Sequence, residues 1–158
     1  MTDTEIKLAD AETQLDLAKQ HQGDEAILRS CINAFIAFGR STTMVMQNES
    51  SGETTSWYDQ KMLSLATLPM MKFFHSKRTY TIHKGVVTPA PVQARVMAQH
   101  FVSQNVRSMG RTRALLWVFD DSDKYGLPKN APVFPLCDEY LSLLRKLVRD
   151  WLERAHST

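Results

Sequence analysis

Apolar positions along the chain recur mainly at intervals of three and four, the period that puts them on one side of a helix. The clearest stripe runs from Ile27 through Leu28, Cys31, Ile32, Phe35 and Phe38 to Val45 and Met46. At 100° per residue these fall within a face about 140° wide, which predicts a long core helix over 24–49 with Asp24 as N-cap. Gly39, Thr42 and Glu49 project the same way, so a close helix contact or a polar cavity is expected towards its end. A second strong stripe, Leu136, Tyr140, Leu143, Leu144, Leu147 and Trp151, predicts a closing helix with Pro135 near its start.

Weaker patterns fill the rest. Residues 4–20 are rich in Ala, Leu, Glu, Gln and Lys but carry only a thin stripe, Leu8 and Leu15, which fits a peripheral helix. Beyond a polar linker at 48–56, residues 57–66 read as a short helix. Pro69 suits the first turn of the next, which stops near Lys84 with Gly85 as its C-terminal glycine. Val86 to Pro91 is extended, because each proline removes a donor and biases its predecessor away from helix. Residues 92–103 are ambiguous between strand and helix. Leu115 to Phe119 is the best strand, able to pair with that region as a hairpin. The expected architecture is therefore mainly α: one domain over 1–158, with a short β-hairpin or extended insert at about 86–134 before the C-terminal helix.

Composition narrows the function classes. Nineteen Lys and Arg against 17 Asp and Glu give a net charge of +2, too balanced for a general polyanion binder, so any nucleic-acid site is local. Cys31 and Cys137 are far apart inside helical stripes and read as buried thiols of a reducing compartment. Met1 to Asp10 carries acids and no apolar core, which reads against a secretory signal. The longest apolar run, Leu115 to Phe119, is far short of the ~20 residues a bilayer helix needs. A cytoplasmic protein with no membrane partner is expected.

The most informative stretch is Lys72 to Gly85. Met70, Met71, Phe73, Phe74, Tyr80 and Ile82 form its apolar face, and Arg78 falls among them. A buried unpaired guanidinium is costly, so an acid such as Glu49, a bound phosphate or a wet cavity is expected there. His83 follows five positions later. Arginine can hold a phosphate through two parallel hydrogen bonds, and histidine exchanges a proton near neutral pH. Together they suffice, without a metal or other cofactor, for attack of a ribose 2′-hydroxyl on its own phosphodiester. Five helical residues turn about 140°, so one helix supplies half a site and two copies across a two-fold axis could complete it.

The run Arg78-Thr79-Tyr80-Thr81-Ile82-His83, an Arg followed by His after four residues near the end of a helix in a small α-bundle, resembles the signature of HEPN domains. The resemblance covers mainly residues 24–85. It implies a HEPN-like helical bundle, a homodimer with Arg78 and His83 lining an interfacial cleft, and a metal-independent ribonuclease of toxin, defence or RNA-processing type that leaves a cyclic phosphate end. An antitoxin-like protein is a further partner of such toxins. Thr79 stands where active members often carry Asn. The alternative is a noncatalytic module of the same type that binds nucleotide, RNA or a protein, and a plainer one is a structural dimerising bundle in which Arg78 meets only an internal acid.

Other features are weaker. Arg107, Arg111 and Arg113 lie in a Gly- and Ser-containing stretch that reads first as a solvated loop and second as a support for an RNA backbone. Asp120-Asp121-Ser122-Asp123 lacks the spacing of a calcium loop and reads as a turn. His75 is expected beside the site or in solvent, and Met44, Met46, Met70 and Met71 as packing.

Overall fold

The computed structural model describes residues 1–93 and 115–156. Among these residues five α-helices, α1 (Asp3–Gln20), α2 (Glu25–Glu49), α3 (Glu53–Leu65), α4 (Pro69–His83) and α5 (Val133–Ala155), surround one core. A small sheet of β1 (Ala90–Gln93), β2 (Leu115–Phe119) and β3 (Ala131–Pro132) precedes α5. Mainly helical architecture with a short sheet before the last helix is what the periodicities predict. The ambiguous stretch begins as strand, since Val92 pairs with Leu116 in β2, and 94–103 lies outside the described residues. The sheet is antiparallel, in the order β1-β2-β3.

α1 and α2 form a tight antiparallel hairpin. Thr2 and Glu5 build a capping box at the start of α1, and Asp24 caps α2 by accepting from the Ile27 N–H at 3.0 Å. α5 runs beside both: Lys19 pairs with Asp138 and Glu12 with Arg145, while Trp151 Nε1 donates to Ser50 Oγ at 3.0 Å. The close contact expected from the small end of the α2 stripe is made at Gly39. A Cβ there would sit 2.8 Å from the Tyr140 ring and 3.3 Å from Leu144 Cδ1. That approach seats Tyr140 on Phe74 in a stack with centroids 4.1 Å apart, edge-on to Phe35. Phe73 extends the aromatic cluster to Phe119 of β2 and to Tyr125.

Side chains fasten the described part of the insert to the helices. Asn33 of α2 accepts from the Val87 N–H at 2.9 Å and donates to the Val87 carbonyl at 2.7 Å, so it pairs with extended backbone as a neighbouring strand would. Trp117 Nε1 donates to the Gln22 carbonyl. The acidic run is a turn, as read: Ser122–Tyr125 is a short 3-10 helix, buried Ser122 accepts from Ala131 N–H and donates to the Pro128 carbonyl, and Asp121 pairs with Lys77. Cys31 and Cys137 are buried free thiols, and burial pushes the Cys137 thiol well above its ordinary pKa.

Two expectations about α4 are corrected. The helix does end at His83, but Gly85 does not adopt the left-handed conformation of a C-terminal glycine cap. Its N–H and that of Lys84 both donate to the Tyr80 carbonyl, and an added Cβ would lie 3.1 Å from Tyr80 Oη. The apolar face is also shorter than its wheel. Met70, Met71, Phe73 and Phe74 are buried, whereas Tyr80 is 43% and Ile82 51% exposed, because the last turns of α4 run past the core.

Candidate functional site

Arg78 stands where α4 leaves the core. It is half-buried rather than enclosed, and its guanidinium lies 3.8 Å from the sulfur of Met44 on α2. The internal acid proposed for it goes elsewhere: Glu49 accepts from the Asp3 N–H at 3.0 Å and from both the N–H and the hydroxyl of Thr4, at 3.2 and 2.7 Å. A helix wheel gives a residue's face but not which neighbour that face meets. Here α2 ends against the start of α1, whose free N–H groups attract a carboxylate. Glu49 therefore caps α1 and forms no ion pair with Arg78.

Among the described residues Arg78 makes no ion pair, and the imidazole of His83, exposed at the last helical position, makes neither an ion pair nor a hydrogen bond. No hydrogen bond joins the two side chains. Thr79 is exposed, and its hydroxyl donates to the His75 carbonyl at 3.0 Å, while Thr81 bonds the Arg78 carbonyl. Arg107, Arg111 and Arg113 lie outside the described residues.

One turn before Arg78 the helix faces a cleft of about 600 Å³ bounded by α2, α3 and α4. Arg40 and Gln47 line it from α2, Asp59 from α3, and Lys72 and His75 from α4, over a floor that includes Tyr58, Met62, Met71 and Tyr140. Tyr58 Oη donates to the Thr43 carbonyl at 2.7 Å. Arg40 donates to Thr43 Oγ1 at 2.8 Å and makes no ion pair among the described residues. Partial burial holds the His75 pKa below its ordinary value, and the charges of Arg40 and Arg78 press it down further. Both arginines thus act on one histidine.

This cleft was not legible in the sequence as a site. Its polar residues come from three helices and are separated by up to 35 positions, and none forms a short-spaced motif. His75, expected beside the site or in solvent, is exposed and lines the cleft one turn before Arg78. The cation Arg40 had no signal beyond its position just after Gly39, on the helix stretch already expected to turn polar. No group of three His, Cys, Asp or Glu side chains with metal-binding spacing occurs among the described residues.

Comparison with protein-family models, with curated proteins and with solved structures gave no match. No helix among the described residues is long and apolar enough to cross a membrane.

Proposed function

We propose that the protein is a HEPN-like, metal-independent endoribonuclease that works as a homodimer, with the ends of two α4 helices forming the cleft. The observation that carries this reading is the helix end itself. Arg78 and His83 share a projecting segment, neither has an acidic partner among the described residues, and the exposed apolar side chains Tyr80 and Ile82 stand between them. Exposed apolar side chains beside an unpaired guanidinium and an imidazole suit a surface that receives a second copy and an anionic substrate.

In this mechanism one His83 imidazole takes the proton of a ribose 2′-hydroxyl, and the freed O2′ attacks the adjacent phosphorus. Arg78 donates to the non-bridging oxygens as the phosphorane gains charge. The 5′-oxygen leaves with a proton from the second copy of His83, which enters the reaction as imidazolium. The products are a 2′,3′-cyclic phosphate and a 5′-hydroxyl. The turn of about 140° between positions five apart keeps Arg78 and His83 of one helix from facing a single phosphate, which is why two helices are required.

A second reading, a noncatalytic module of the same type that binds RNA, nucleotide or a protein such as an antitoxin, draws on Thr79. Its hydroxyl proton goes to the His75 carbonyl, so it does not donate to a substrate phosphate in this arrangement. Incubation with single-stranded RNA in EDTA separates the two. The nuclease reading expects cleavage that Arg78→Ala and His83→Ala each abolish, and the binding reading expects saturable binding, weakened by Arg78→Ala, with no product.

A further inference from the structure

Two cations in the cleft between α2, α3 and α4 lack a carboxylate. Arg40 is half-buried and spends one N–H on Thr43 Oγ1, and neither it nor Lys72 forms an ion pair among the described residues. A partly desolvated guanidinium is most stable with an anion on its remaining donors. His75, one turn after Lys72 on α4, lines the same cleft and adds a third nitrogen-bearing side chain.

Apolar side chains line the same cleft. Met62 and Leu63 of α3 and Met71 of α4 line it, and Leu63 is 74% exposed, a large side chain left uncovered at the rim. Asp59 stands on the α3 wall and makes no ion pair among the described residues, so it disfavours a second anionic group there and can accept from a hydroxyl. The volume of about 600 Å³ lies in the range of small-molecule sites.

We propose that this cleft binds a small phosphate monoester with an apolar body, the phosphate on Arg40, Lys72 and His75 and the body on Met62, Leu63 and Met71. Two fixed cations match the charge of a phosphate dianion better than that of a carboxylate, and a guanidinium fork with an ammonium supplies donors to all three of its free oxygens. The site is distinct from the one proposed at the end of α4 and stands whether or not that end cleaves RNA.

Phenyl phosphate is the probe, followed through the methyl signals of Met62 and Met71 by NMR on the full chain, with benzyl alcohol and inorganic phosphate as comparisons. The expected result is a saturable shift of both methyls by phenyl phosphate and weaker binding of either comparison compound. Arg40→Gln is expected to weaken phenyl phosphate about tenfold, the scale of one charge-assisted contact. Lys72→Gln, at an exposed position, tests the same head-group contact without disturbing the core, and Arg145→Gln, on another face, leaves binding unchanged. Absence of a saturable methyl shift, equal binding of benzyl alcohol, or full affinity in both Arg40→Gln and Lys72→Gln overturns the proposal. RNA cleavage, read separately through Arg78 and His83, bears on the other site alone.

Discussion

Glu49 at the end of α2 closes onto Thr4 in the first turn of α1. One carboxylate oxygen accepts both the hydroxyl of Thr4 and its N–H, and the other takes the N–H of Asp3. The contact satisfies two of the unpaired N–H groups at a helix start and places negative charge at the positive end of the dipole. Glu49→Ala should therefore destabilise the fold by about 1–3 kcal/mol, measured as a lower urea midpoint, with RNA cleavage per folded molecule unchanged. Reduced cleavage at full stability would instead return Glu49 to the side of Arg78.

Gly39 and Tyr140 set the distance between α2 and α5. Gly39→Ala places a methyl group 2.8 Å from Cε1 of a ring that is itself stacked on Phe74 and cannot swing away. Overpacking of this kind costs about 1–3 kcal/mol, against a helix-propensity gain of about 1 kcal/mol for replacing glycine. A net loss of stability by chemical denaturation is expected, and a gain would mean that the two helices separate easily.

His75 gives the protein a pH dependence whose sign is fixed. Burial first, then Arg40 and Arg78, hold its folded-state pKa below the ordinary histidine value, which the unfolded chain retains. Protonation thus favours the unfolded state. The contribution is fully present above the unfolded value and is lost as pH falls through the folded one. Stability should decline as pH drops below about 6.5, less steeply in His75→Gln. An NMR titration should find His75 depressed and Arg40→Gln raising it. An ordinary value, unmoved by Arg40→Gln, would place the arginine too far away to act.

The projecting end of α4 carries Ile82 and Tyr80 into solvent. If a second copy covers it, Ile82→Asp should shift the protein from dimer to monomer in sedimentation while leaving the unfolding midpoint of the monomer within about 0.5 kcal/mol, since an exposed position is changed. An unchanged dimer would move the interface elsewhere.

The helical frame was legible because long stripes such as Leu28 to Met46 and Leu136 to Trp151 have one burial solution, and even the close contact at Gly39 could be expected from its small side chain. What failed at α4 was extent: periodicity assigns Tyr80 and Ile82 to the same face as Phe74, but only the packed neighbours decide where the core ends. The pairing of Arg78 with Glu49 failed for a related reason, since the identity of a neighbouring helix end is a tertiary fact. The placing of Arg40, Lys72 and His75 around one cleft had no local trace, because residues brought to one cleft from two helices share no spacing.

The most direct measurement is the chemistry of the RNA ends produced in EDTA. The expected result is a 2′,3′-cyclic phosphate and a 5′-hydroxyl from the unaltered protein and no product from either Arg78→Ala or His83→Ala, each shown to be folded. Cleavage that survives both substitutions, or that requires a divalent ion, would contradict the assignment of the reaction to the end of α4.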